Sequence, residues 1–337
     1  MEQRVLGRTG RPVSIVGLGT WQLGADWGSV TESDALAVLR AAVESGVTFL
    51  DTADVYGDGR SERIIGRFLA GNPGRGIVVA TKMGRRVEQV PENYTLANFR
   101  AWTDRSRANL GVDRLELVQL HCPPTSVYGS DALYDALDTL VAEERIAAYG
   151  VSVETCDEAL AAIARPGVAT VQIIFNAFRR KPLDQVLPAA SAAGVGIIVR
   201  VPLASGLLAA RYTLDTSFAS DDHRNYNRHG EAFDVGETFS GVDYPTGVQA
   251  ATEFAAIAAE PGAFTTDPAW TPTTAQAALR WATQQPGVTT VIPGARNTAQ
   301  ARQNAAAGDL PALTEHALGQ IEELYDKYFR AEIHSRW

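Results

Sequence analysis

TESDALAVLRAAVESGVTFLDTADVYG, residues 31–57, holds one helix–strand unit whose repetition defines the fold. Leu36, Leu39 and Val43 recur at three- and four-residue spacing, the signature of an amphipathic helix. Thr31 or Ser33 serves as its N-cap and Gly46 as its stop. VTFLD, residues 47–51, follows at once as a short β-rich run. It ends on Asp51, and Tyr56 sits in the loop beyond.

Moving outward, the same alternation fills most of the chain. The β-rich runs are IVGLG (15–19), VTFLD (47–51), IVVATK (77–82), LELVQLH (115–121), AAYGVS (147–152), TVQIIFN (170–176), VGIIVR (195–200) and TTVIP (289–293). Helical patterns lie between them; SDALYDALDTLVAEERI sets Leu133, Leu137, Leu140 and Val141 on one stripe. TTAQAALRWATQQPG and TEHALGQIEELYDKYF are also amphipathic. Short strands separated by helices pair in parallel, because each crossover needs a dozen or more residues. Eight such units in 337 residues predict an α/β chain forming one (β/α)8 TIM barrel domain over residues 1–337. The alternative, a doubly wound open sheet, lacks a G-x-G-x-x-G after its first strand. Arg4–Val16, with GRTGRP at its centre, predicts an N-terminal β-hairpin. The stretch from Arg211 to about Tyr244 is polar and aperiodic. It predicts a lid-like loop after the seventh strand, on the face where barrel active sites are built.

Composition narrows the function. Hydrophobic residues make up 45% and charged residues 20%, as in ordinary globular proteins. No apolar run approaches the ~20 residues that span a bilayer. The opening MEQRVLGRTG lacks a secretory layout, so a cytoplasmic location is expected. Cys122 and Cys156 are the only cysteines, too few for a disulfide framework. A net charge of −9 argues against nucleic-acid or anionic-membrane partners and leaves a small molecule as the expected one. Oligomeric state is not legible in the sequence. Of the 30 basic residues only Lys82, Lys181 and Lys327 are lysines, which draws attention to Lys82 at a strand tip.

Asp51, Tyr56, Lys82 and His121 all stand at or just beyond the ends of early strands. In a parallel barrel those ends share one rim. A free tyrosine has a pKa near ~10, too high for ready proton exchange at neutral pH. An adjacent ammonium favours the phenolate, so Lys82, held by Asp51, is expected to lower the pKa of Tyr56. His121 is placed to bond the same substrate oxygen. Such a quartet suits carbonyl reduction and alcohol oxidation. No metal site is expected.

With these residues the chain resembles the aldo-keto reductases. The resemblance rests on GLGTW, FLDTADVYGDGRSE, TK, LHCPP, GVS, VQIIFN, VPLASGLLAARY and IPGARNTAQARQN, in that order. It implies that Asp51, Tyr56, Lys82 and His121 are the catalytic tetrad, and that NADP(H) is favoured over NAD(H). It places Thr20, Trp21 and Asp51 beside the cofactor, and Ser152 with Gln172 on the carboxamide. Val153 stands where the family often has Asn. Arg200 holds the position of an aromatic that stacks on the nicotinamide, and a guanidinium plane can take that role. Asn176 is either a supporting residue there or a strand-end turn former. Pro202, Leu203, Ser205, Gly206 and Arg211 would follow the pyrophosphate. Gly294 and the start of the next helix would form an anion pocket. Arg296 would pair a 2′-phosphate, and Gln300, Gln303 and Asn304 would reach the adenosine. Trp21, Trp27 and Tyr128 are candidate walls of the substrate pocket.

Two further readings compete with a reductase. Lys82 is a candidate Schiff-base lysine of a barrel lyase, although pairing with Asp51 would keep its amine charged. The chain is otherwise a nucleotide-binding accessory subunit with little turnover, like the channel-associated relatives, but His121 is retained here.

Overall fold

The computed structural model describes residues 1–24 and 30–337. Two antiparallel strands, β1 (Gln3–Val5) and β2 (Pro12–Ser14), form the expected hairpin. Eight parallel strands follow: β3 (Leu18–Gly19), β4 (Phe49–Asp51), β5 (Val78–Met83), β6 (Leu117–His121), β7 (Tyr149–Ser152), β8 (Val168–Ile174), β9 (Gly196–Arg200) and β10 (Val288–Val291). They pair in sequence order. Parallel bridges from Val16 to Val291 and from Gly19 to Gly294 bring the first and last strands together. Gly17 N donates to Val291 O at 2.8 Å across that seam. The result is a nearly closed (β/α)8 barrel.

Inward positions alternate along each strand and change character from bottom to top. Phe49 precedes Asp51; Val78 and Ala80 precede Lys82; Leu117 precedes Gln119 and His121; Ile198 precedes Arg200. The apolar members join Leu6 and Val13 in a buried cluster that runs up to Ile292 on the cavity wall. The polar members meet at the C-terminal end.

Helices cover the outside. Thr31 caps Glu32–Glu44 by accepting from Asp34 N, which decides between the two N-cap candidates. That helix buries Ala35, Val38, Leu39 and Ala42, while Leu36 and Val43 lie only half-buried at the flank. Val141 is likewise 36% exposed rather than on the buried stripe of Asp131–Ala142. A residue one step beyond Leu140 is rotated about 100° around the helix and cannot share its face. No helix among the described residues is long and apolar enough to cross a membrane.

The aperiodic stretch after β9 contains short local elements. A short helix (His223–Tyr226) and turns at Val235–Glu237 and Phe239–Gly241 fold it over the barrel mouth. Phe218, Phe239 and Tyr244 pack ring against ring beneath it. Ser205 Oγ donates to Glu237 O at 3.2 Å and accepts from Phe239 N at 3.0 Å. Asn176 Nδ2 reaches Ser240 Oγ at 2.7 Å and Val201 O at 2.9 Å, so Asn176 ties the strand end to this lid.

Candidate active site

A cavity of about 570 Å3 opens at the C-terminal ends of the strands, with Asp51, Tyr56 and His121 on its wall. Lys82 lies beneath, 1% exposed. Its Nζ is 2.5 Å from Asp51 Oδ2, 3.0 Å from Thr52 O and 3.4 Å from Tyr56 Oη. Asp51 Oδ1 accepts from Gln172 Nε2 at 2.8 Å and Gln119 Nε2 at 3.3 Å. The carboxylate is thus held on both oxygens, and its charge balances the buried ammonium. The rings of Tyr56 and His121 meet edge to face at 6.0 Å.

Electrostatics assign the protons. Burial opposes a charge on Lys82, but Asp51 and Tyr56 outweigh it and hold the amine above its ordinary pKa. That ammonium cannot act as a neutral Schiff-base nucleophile. Burial, reinforced by Arg85, Lys82 and Arg200, pushes His121 well below the usual imidazole range, so the ring is neutral. For Tyr56 the expected direction is reversed: burial raises the phenol more than Lys82 lowers it. A phenol that keeps its proton is an acid in waiting.

Beside His121 lies an ionic cluster that the motifs did not announce. Arg85 Nη2 is 2.9 Å from Glu237 Oε1, and its Nη1 is 3.5 Å from His121 Nε2. Arg200 Nη2 is 2.8 Å from Glu154 Oε2, and its Nη1 is 3.7 Å from Glu237 Oε2. Burial works against both guanidinium charges. The carboxylates, Glu237 first for Arg85 and Glu154 first for Arg200, nevertheless hold both above their ordinary range. Burial also opposes ionisation of Glu237, yet the two arginines bring its carboxyl down to about 2. Glu154, buried and next to Glu237, is pushed up to about 7. Burial drives the Cys122 thiol up to about 12, which leaves it unreactive. The only hint in the sequence was position: Arg85 lies three residues past Lys82, and Arg200 closes an inward series.

Most of the residues assigned to a cofactor line the same cavity: Thr20, Trp21, Gln172, Arg200, Pro202, Leu203, Ser205, Gly206, Arg211, Gly294, Arg296, Gln300, Gln303 and Asn304. Ser152 does not; it is 1% exposed and its Oγ meets the Cys122 thiol at 3.4 Å. Tyr128 is also no pocket wall, being buried with its hydroxyl on Ser152 O at 3.0 Å. Gln172 faces the cavity but donates to Asp51. Trp21 stacks on Tyr56 and tilts against His223, a lid residue on the cavity wall that the sequence did not single out. Trp27 lies outside the described residues. Two amides of the expected anion pocket are already engaged, Arg296 N by Gln300 Oε1 and Gln300 N by Asn297 Oδ1. Asn304 Nδ2 holds Gly294 O.

Other features fit a dinucleotide phosphate. Arg211 and Arg296 line the cavity, and neither guanidinium has an ion-pair or hydrogen-bond partner among the described residues. Unpaired cations at one cavity of an acidic protein suit an anion. A Cβ at Gly294 would lie 2.2 Å from the Gln22 side chain, and one at Gly206 2.3 Å from Tyr212 Oη. The backbone there is kept bare. Arg200 on the cavity wall is held by Glu154 and Val153 O, and a guanidinium plane is able to stack on a ring.

The family model for the aldo/keto reductase family matches residues 15–326. An aldo-keto reductase of Bacillus subtilis is 30% identical over 67% of this chain and 70% of its own length. An uncharacterized oxidoreductase of Mycobacterium bovis is 32% identical over 88% of this chain and 85% of its own. Among solved structures, the glycerol dehydrogenase of Gluconobacter oxydans superposes with a TM-score of 0.76 at 27% identity, covering 97% of this chain and 95% of that one. An aldo-keto reductase of Klebsiella pneumoniae, solved in complex with NADPH, gives 0.70 at 25% identity and covers 96% of each chain. Barrel, strand-end quartet and family match converge, and the chain is an oxidoreductase of the aldo/keto reductase family.

Proposed function

We propose that this protein reduces an aldehyde or ketone to the alcohol, reversibly, with NADPH as reductant and Tyr56 as proton donor. The observation that carries the proposal is the buried Asp51–Lys82 pair with its ammonium 3.4 Å from the Tyr56 hydroxyl, under a cavity wall shared with neutral His121. When bound, the reduced nicotinamide supplies a hydride to the carbonyl carbon. His121, uncharged, hydrogen-bonds the carbonyl oxygen and orients it. Tyr56 transfers its proton to that oxygen as negative charge develops. Lys82 then stabilises the phenolate left behind, and Asp51 fixes Lys82 in place. In the reverse direction the phenolate takes the proton from the alcohol.

Arg296 and Arg211 would meet the phosphates, Arg296 that on the ribose, which favours NADPH over NADH. Gly206, Pro202 and Leu203 would pass the pyrophosphate, with Gln300, Gln303 and Asn304 near the adenosine. Thr20, Trp21 and Gln172 would border the nicotinamide, and Arg200 would stack on it.

Tyr56→Phe removes the hydroxyl that carries the transferable proton and keeps the ring. Turnover of an aldehyde panel, followed by NADPH absorbance, should fall by about 10²-fold or more. Quenching of intrinsic fluorescence by NADPH should be nearly unchanged and stronger than by NADH. Wild-type turnover in the Phe variant would end the mechanism. An accessory role would instead show as negligible wild-type turnover across the panel.

A further inference from the structure

Glu237 is the one carboxylate that the lid brings to the cavity wall. Its carboxylate is seated by residues from elsewhere, Arg85 after β5 and Arg200 at the end of β9, while the Ser205 hydroxyl holds its main-chain oxygen. Arg85 touches both Glu237, at 2.9 Å, and His121, at 3.5 Å. The seat therefore adjoins the imidazole assigned to the substrate carbonyl. An anionic group on the carbon next to that carbonyl would fall toward Arg85. Arg200, buried on the cavity wall, and half-buried Arg85, paired to the Glu237 carboxylate that lines that wall, would ordinarily make such an anion welcome. Here a carboxylate of the chain already fills the place, and a second one would meet it as a like charge in a poorly solvated site.

We infer that Glu237 is a built-in occupant of an anion seat formed by Arg85 and Arg200, and that it restricts this site to carbonyl substrates without an adjacent carboxylate. The inference deepens the reductase reading and rests on it for the identity of the substrate end. With the Glu237 carboxylate removed, the guanidiniums of Arg85 and Arg200 face one remaining carboxylate, that of Glu154. Positive charge is then in excess, so the seat remains attractive to an anion.

Pyruvate and methyl pyruvate form the test pair, since they differ at the charged group and share the reacting ketone. Wild-type protein should turn over the ester with NADPH and prefer it to the acid in kcat/KM. Glu237→Ser, which empties the seat, should move that preference toward the acid by at least about tenfold. Glu237→Gln, which keeps the shape and removes the charge, should move it in the same direction by less. Adding Arg85→Met to Glu237→Ser should cancel the gain.

A binding measurement stands apart from turnover. Sodium acetate should raise the melting temperature of Glu237→Ser, and sodium chloride at equal ionic strength should not. Wild-type protein should respond to neither. An unchanged acid-to-ester preference in variants that still reduce the ester overturns the inference, as does an acetate response equal to wild type. If wild-type protein reduces neither compound nor any other carbonyl, the reductase reading fails, and the acetate arm alone decides whether the seat exists. If Glu237→Ser does not fold, the preference of Glu237→Gln decides.

Discussion

Asp54 lies two residues before Tyr56 and is 2% exposed, with Oδ1 buried and unpartnered. Its neighbourhood is mixed. Burial, then Glu62, pushes the carboxyl up to about 7, while Arg86 and Arg105 pull less strongly the other way. A folded-state pKa above the unfolded one means that the folded protein holds a proton the unfolded chain has released. The group costs nothing below about pH 4, costs progressively more as pH rises to about 7, and costs its full amount above that. Asp54→Asn should remove that slope. The variant should gain stability over wild type on the order of 3 kcal/mol at pH 8 and almost none at pH 4. Thermal melts at the two pH values check it. An equal offset at both would mean that Asp54 is ionised throughout.

At the scale of elements, Trp337 shows how the lid is fastened. Its ring lies under the Arg179 guanidinium at 4.0 Å, and its Nε1 donates to Asp234 Oδ1 at 3.1 Å. Gly236 and Gly241 leave the space it fills; a Cβ at Gly241 would stand 2.2 Å from the indole. Trp337→Ala removes the stack, the hydrogen bond and the packing together. It should cost about 3 kcal/mol. Limited proteolysis should then cut within residues 211–244 sooner than in wild type, and KM for the carbonyl should rise more than kcat falls. Uncut lid with normal KM would show that the aromatic cluster around Phe239 is sufficient. This fastening also marks where sequence reading ran out. The eight strands were legible because each β-rich run is bounded by helical periodicity, and Asp51, Lys82 and His121 because each ends an inward series. Glu237 was not, because an aperiodic stretch gives no face to its charges, and Glu154 was not, because it sits in the short turn after β7; only folding decides which of many acids meets a buried arginine. Ser152 misled for the opposite reason. Its motif position suggested a ligand contact, and it is in register with His121 and Gln172, but its hydroxyl is buried against the Cys122 thiol.

The whole molecule divides its labour between the two ends of the barrel. Chemistry is gathered at the C-terminal ends of the strands, while the N-terminal ends are closed by the hairpin, with Leu6 and Val13 inserted under Phe49, Val78, Leu117 and Ile198. Gly7 makes that closure possible. It has φ 49°, and an added Cβ would lie 2.2 Å from both Ala169 O and Gly196 N, backbone atoms that cannot swing aside. Those contacts sit near the starts of β8 and β9, away from Gln172 and Arg200 further along the same strands. Gly7→Ala should therefore destabilise by roughly 3 kcal/mol or more, through left-handed strain and overpacking together. NADPH affinity and kcat, corrected for the folded fraction, should stay at wild-type values. If the variant instead lost cofactor affinity while keeping its melting temperature, the plug would be coupled to the catalytic rim through the strands, and the division between a stabilising end and a chemical end would not hold for this barrel.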